Sequence, residues 1–249
     1  MQFLEYVIAG FGVGIVFGMF GAGGSAFATP VLALIGVPPL MAVASPLPAM
    51  LPAAFAGARR YLRSGNIDGR VAKLAILGGV PGTLIGALAS SLVGGSRLLA
   101  LSGLLLLVIG IRLLMRDSLG AAERGAERRG RTRLVVLSSF GVGLLTGLLA
   151  NGGGFLLVPL FVLVLGLTAV EAAGTSMVVV GVLTVPTLIT HWMLGHIDWA
   201  VGGGFALGLI PAAAVGARLA QRIPPTKSRI AFGTMLVVFA IWFLIRQLT

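Results

Sequence analysis

The sequence predicts an all-α polytopic membrane protein built from two homologous repeats in inverted topology. Three observations carry this. The chain is 57% hydrophobic and only 10% charged over 249 residues, whereas a soluble domain carries about 25% charged residues. Uncharged apolar runs of about 20 residues, enough to cross a bilayer, recur from end to end. The two halves also align. Gly12, Gly14, Gly18, Gly23, Gly24 and Pro30 match Gly141, Gly143, Gly147, Gly152, Gly153 and Pro159 at a constant offset. After a one-residue insertion, "SGNIDGRVAKLAILGGVPGTLIGA" (64–87) matches "LGHIDWAVGGGFALGLIPAAAVGA" (194–217). Two-fold internal repeats of this kind are typical of secondary transporters.

The first half divides into apolar pieces at 3–20, 26–36, 40–60, 70–93 and 97–115, and the second at 134–150, 155–167, 169–190, 199–217 and 228–247. Repeat one is therefore 1–115 and repeat two 134–249. They are joined by the one long polar stretch, "RDSLGAAERGAERRGRTR" (116–133). The second piece of repeat one rises only about 16 Å as a helix, half a bilayer. The first two pieces of each repeat are accordingly a glycine-broken helix pair, either re-entrant or fully crossing, followed by three transmembrane helices. The opening "MQFLEYVIAG" lacks the basic flank of a signal peptide, so the first apolar segment reads as retained.

Charge sets the orientation. All Lys and Arg except Arg97 and Arg246 fall within 59–73, 112–133 and 218–229, and 191–198 has none. An odd number of crossings per repeat puts all three basic regions on the cytoplasmic side. An even number would send the 218–229 cluster outside. The positive-inside rule favours the odd count, which inverts the second repeat and leaves both termini external. The same loops account for the net charge of +11 without nucleic acid, since no aromatic residues interleave with the basic clusters. The absence of cysteine excludes disulfides and thiolate chemistry.

The motifs "GMFGAGGSAFATP" (18–30) and "GLLANGGGFLLVP" (147–159) break otherwise apolar runs. Non-helical backbone at membrane depth is tolerated only where it packs in protein or lines a wet cavity. A short helix follows each break, starting near Ser25 and near Gly154. Its first N–H groups lack intrahelical partners and carry partial positive charge, which is a backbone anion site. Gly23 and Gly24, and Gly152, Gly153 and Gly154, let an oxyanion approach those N–H groups, and Ser25 and Asn151 add side-chain donors. Ser45 of "AVASPLPAM" and Thr175 and Ser176 of "AAGTSMVVV" occupy equivalent places and could complete the anion's hydrogen bonds. The alternative for these hydroxyls is bonding back to the preceding helical turn.

Other residues have structural readings. Gly12, Gly14, Gly18, Gly78, Gly141, Gly143, Gly147 and Gly208 are expected to pack helices closely. "TAVE" (168–171) reads as a capping box, Pro38 and Pro39 as a helix start, and Asp68 and Asp198 as N-caps. His191, His196 and Asp198 lack the converging fourth partner of a metal site. No Ser/His/Asp constellation or Glu-x-x-His motif points to an enzyme, and no cofactor or metal is called for.

The stretches "FGAGGSAFATPVL" and "ANGGGFLLVPL", with the paired "SGNIDGRVA…GGVPGTLIGA" and "LGHIDWAVG…GLIPAAAVGA", resemble the TauE/SafE family of sulfite and organosulfonate exporters over essentially the whole chain. The resemblance implies sulfite, thiosulfate, sulfoacetate or a related sulfonate as cargo, and about eight spans. Ala22 and Ser25 stand where the second motif has Asn151 and Gly154, so the two cradles are unequal and the second is the stronger. The expected protein is a multi-pass exporter in the inner (plasma) membrane. It would work on a small anionic substrate in the lipid bilayer, with room for a homodimer. The only acidic residues of the apolar pieces, Glu5 and Glu171, sit at their starts, and His191 is the one marginal proton-relay candidate. Potential-driven uniport is therefore expected. The rival readings are an anion channel and a membrane-anchoring subunit of an enzyme complex.

Overall fold

Each expected apolar piece folds as helix, with ends within a few residues of those read from the sequence. The computed structural model describes residues 2–21, 26–93, 95–115, 132–149 and 154–248. Repeat one gives α1 (Gln2–Met19), α2 (Ala28–Leu34), α3 (Pro39–Ala44), α4 (Leu47–Arg63), α5 (Gly69–Val93) and α6 (Gly95–Leu114). Repeat two gives α7 (Thr132–Leu149), α8 (Gly154–Pro159) running into a π-helical turn (Leu160–Val164), α9 (Ala169–Met193), α10 (Trp199–Ala220) and α11 (Pro225–Leu248). No strand occurs among the described residues. Six helical stretches among them are long and apolar enough to cross a bilayer: α1, α3 with α4, α5, α9, α10 and α11.

The third piece of repeat one is one run in the sequence but two helices in the structure. The break falls at Ser45 and Pro46. Pro46 has no N–H to give and its ring crowds the preceding turn. The matching piece of repeat two, with Thr175 and Ser176 there, runs unbroken as α9.

Local signals place the ends. Thr168 and Glu171 form a reciprocal capping box at the start of α9. The Asp198 carboxylate accepts from the Ala200 and Val201 N–H groups, and Asp68 accepts from Arg70 and Val71. Pro39 opens α3 after Pro38. Gly65 and Gly195 close α4 and α9 at φ of 70°, the left-handed cap that suits glycine.

Packing fixes the helix directions. Along α1 and α10, Gly10 sits on Phe205, Gly14 on Leu209 and Gly18 on Ala213, so the two run parallel. Gly78, Gly82 and Gly86 of α5 meet Val136, Phe140 and Leu144 of α7, again in parallel. A methyl group at Gly18 or Gly86 would run into the opposing backbone carbonyl. Such seams give membrane helices dispersion contact where lipid leaves no hydrophobic driving force. Gly12 and Gly141 differ from expectation: no neighbour lies within 4 Å of either, and both are exposed. Each stands two residues from a seam glycine, Gly12 from Gly10 and Gly14 and Gly141 from Gly143, and so lies on the opposite helical face.

In contrast, α4 and α9 are antiparallel, with Tyr61 on Gly174, Gly57 on Met177 and Ala54 opposite Gly181. So are α6 and α11, with Gly103 on Leu244, Gly110 on Val237 and Leu114 on Gly233. Ser45 lies at Gly202 and Gly57 faces Ala213, so α4 runs with α10 and therefore with α1. The chain must return between α1 and α3. It does so along α11, where Phe20 stacks on Phe232 and Phe27 packs on Phe239.

These directions bring the described basic residues, all but Arg97 and Arg246, to one end of the bundle. Arg60 donates to Gln221, and Gln221 to Ser64, tying the end of α4 to the end of α10. Arg70 and Lys73 open α5 beside them, and Arg112 closes α6 near Lys227 and Arg229 at the start of α11. The opposite end carries Trp192 and Trp199, exposed and edge-to-face at 5.9 Å, as interfacial tryptophans do. Between the ends, Phe3, Ile8, Leu77, Leu88, Leu207 and Val238 face outward.

Candidate functional site

The described edge of the first glycine motif lies against the second repeat. Gly21, at φ 68°, lies against Ala173 and the Ser176 hydroxyl at the start of α9. A side chain would be strained there by both conformation and space. Two residues of 3₁₀ turn, Ala26 and Phe27, then lead into α2, and both are buried. Phe27 sits on Phe239, close to the middle of α11. The first turn of α2 thus begins about 10 Å deeper than Phe20, counting the seven residues of α11 between Phe232 and Phe239 at helical rise. In repeat two, Gly154 opens α8 and is buried. Gly23, Gly24, Ser25, Asn151, Gly152 and Gly153 lie outside the described residues.

The hydroxyl pair has a definite structural role. The Ser45 Oγ accepts from the Asp198 N–H at 3.0 Å. The Thr175 Oγ1 accepts from the Asp68 N–H, also at 3.0 Å. Each hydroxyl thus holds the turn before a helix of the other repeat. Both side chains are fully buried, and each hydroxyl, acting as acceptor, keeps its own hydrogen to donate. They are not brought together: Thr175 lies near the basic end and Ser45 near the tryptophan end. Ser176, beside Thr175, donates back to the Ala173 carbonyl.

Several buried polar atoms escaped the sequence reading. Thr83 Oγ1, Ser139 Oγ, Thr184 Oγ1 and His191 Nε2 are buried without a hydrogen-bond partner among the described residues. His191 Nδ1 lies 3.2 Å from His196 Nδ1. Among the described residues no three His, Asp or Glu side chains are placed to hold a metal. A position-by-position comparison of the repeats could have flagged two of these groups, since Thr184 and His191 stand where repeat one has Ala54 and Tyr61.

The "Sulfite exporter TauE/SafE" family matches residues 6–243. A Xylella fastidiosa (strain 9a5c) protein called "Probable membrane transporter protein" is 30% identical over 243 residues, covering 94% of this chain and 92% of its own. "Probable membrane transporter protein YunE" of Bacillus subtilis (strain 168) is 24% identical over 246 residues, covering 90% and 89%. YdhB of the same strain, named in the same way, is 28% identical over 225 residues, covering 88% and 90%. No solved structure matches the chain. The helical bundle and the near-complete match agree, and the chain belongs to the TauE/SafE family of membrane transporters.

Proposed function

We propose that this chain exports small sulfur oxyanions such as sulfite, or organosulfonates such as sulfoacetate, across the inner membrane. Two repeats of inverted topology alternate access to an anion held at helix N-termini near the midplane. The antiparallel packing of the equivalent pairs α4 with α9 and α6 with α11, and the crossed bonds of Ser45 and Thr175, support inversion. The basic end faces the cytoplasm by the positive-inside rule, which leaves both termini external.

The observation that carries the anion reading is the return after α1. Its described edges are Gly21, buried against α9, and the helix start beside Phe239 in the middle of α11. The broken half-helix is the device that transporters aim at anionic groups. Gly23, Gly24 and Ser25 would form one cradle with Thr175 and Ser176 beside it. Asn151 and Gly152 to Gly154 would form the other, with Ser45 at the matching end.

Counterflow in proteoliposomes with sulfite, sulfoacetate, taurine and sulfate tests this. Saturable exchange of a sulfur oxyanion is the expected result. Conductance without counterflow would make the protein an anion channel. Silence towards every anion would favour an anchoring subunit.

A further inference from the structure

Two adjacent helices close on clustered positive charge at the basic end. Helix α4 ends in "RRYLR" (59–63), and α10 with its cap ends in "RLAQR" (218–222). Arg59 and Arg63 stand four residues apart, a spacing at which like charges face each other on a helix and destabilise it. Arg218 lies in the last turn of α10, and Arg222 just past its cap. The helices run side by side, and the Arg60–Gln221–Ser64 bonds hold their ends together. Arg60 is engaged there, while Arg59, Arg63, Arg218 and Arg222 stand exposed.

The chain supplies little to balance these charges. A helix C-terminus carries about half a negative charge, too little at two ends to offset five arginines. No Asp or Glu occurs in 39–67 or 199–249. The acidic residues at this end serve as caps, Glu171 for α9 and Asp68 for α5. The linker, 116–133, is itself net positive. Packing does not call for the arginines either. Their repeat equivalents are Ile189 and Met193 for Arg59 and Arg63, and Leu88 and Leu92 for Arg218 and Arg222.

The charges suit an anion, and the surface around them selects its kind. Leu62, next to Arg63, is 68% exposed, Leu219, next to Arg218, is 42% exposed, and Phe55 is 64% exposed. Phe55 lies about 6 Å deeper along α4 than Arg59 and about 12 Å deeper than Arg63. A free oxyanion in water gains nothing from apolar side chains. A phospholipid gains from both parts: guanidinium groups hold its phosphate bidentately, and its chains lie along the apolar face below. Basic clusters beside membrane helices recognise anionic headgroups in this way.

We propose that the outer face of α4 and α10 at the basic end docks an anionic phospholipid of the adjoining leaflet. Arginines of both helices hold its phosphate, and a chain lies over Phe55.

The test uses purified full-length Phe55→Trp protein, which sets a reporter at chain depth. Trp192, Trp199 and Trp242 lie away from the basic end, and their signal is subtracted using the parent chain. The protein is reconstituted with brominated phosphatidylglycerol or brominated phosphatidylcholine diluted by the unbrominated lipids, and quenching gives the relative binding of the two. Phosphatidylglycerol should be held about 5-fold or more over phosphatidylcholine, the worth of one cation near an anionic surface. Salt at about 1 M, where charges are screened within about 3 Å, should shrink that preference. Arg63→Gln with Arg222→Gln should bring the ratio close to one, and each single variant should lose part of it.

Lys73→Gln with Arg133→Gln removes the same charge from exposed positions on the α5–α7 side. That side lies across α9: Leu183, which meets Gly79 of α5, stands half a turn round from Gly174, which meets Tyr61 of α4. This control should keep the preference. A ratio of one in the Phe55→Trp protein, no loss in the Arg63 and Arg222 variants, or an equal loss in the control overturns the proposal. So does loss of the preference to excess glycerol phosphate at constant ionic strength, because the arginines would then hold a free anion.

Discussion

The crossed hydrogen bonds give the inverted arrangement a quantitative test. Thr175→Val keeps the shape of the side chain and removes the acceptor of the Asp68 N–H, a 3.0 Å bond onto a fully buried hydroxyl. An unsatisfied buried donor costs about 1–3 kcal/mol. Asp68 is half-buried, so water reaches part of the site and the lower part of that range applies, about 1–2 kcal/mol. Ser45→Ala removes the matching acceptor of the Asp198 N–H. In a chain of 150–250 residues each kcal/mol moves Tm by about 2–4 °C. Each variant should therefore lose about 2–8 °C in detergent, followed by the fluorescence of Trp192, Trp199 and Trp242. Thr175→Ser keeps the oxygen and should stay near wild type. By the antiparallel register of α4 and α9, the two bonds lie about 20 Å apart along the bundle, so the losses should add in the double variant. Unchanged Tm in both single variants would remove the bonds, and with them one of the two supports for inversion.

Three further outcomes are expected. Asn151→Ala should weaken sulfur-oxyanion affinity about 10- to 150-fold by deleting one donor to a charged ligand, with Ser25→Ala costing less; unchanged affinity in both would take these side chains out of the site. In this cysteine-free chain, cysteines at Ser64 and His196 should label from opposite faces of the membrane, and labelling from the same face would sink the inverted topology. Gly18→Ala should prevent stable folding, since its methyl meets the Ala213 carbonyl, while Gly12→Ala, with nothing within 4 Å, should be silent; equal tolerance in thermal scans would disprove the α1–α10 seam.

Much of the scaffold was legible because it rests on local chemistry. Apolar run lengths gave the helices. The Thr168–Glu171 box and the Asp68 and Asp198 caps were readable because their partners lie within three residues. What the sequence withheld was non-local. Ser45 and Thr175 stood out as an equivalent pair, yet nothing in one strand of text shows that each reaches into the other repeat. The same holds for Gly12 and Gly141: they share the glycine pattern, but which helical face meets a neighbour is decided by packing. The break at Ser45 and Pro46 lies between, since proline disfavours a continuous helix but membrane helices often absorb it, as α9 does at Pro186.

The repeat symmetry is most informative where it fails. Equivalent helices meet through equivalent contacts, so a residue that keeps the fold should be matched by one that does the same work. Tyr61 does that at Gly18, and His191 faces the matching Gly147 carbonyl. Thr184 has no such counterpart: its hydroxyl is without a hydrogen-bond partner among the described residues where Ala54 needs none. Packing does not require that polar atom, because repeat one manages the same geometry without it. Burying a hydroxyl unpaired costs stability, and a ligand or water that meets it offsets that cost. The acidic residues of the described spans, Glu5 and Glu171, stay in the first turns of α1 and α9, which leaves the middle of those helices without a fixed negative charge.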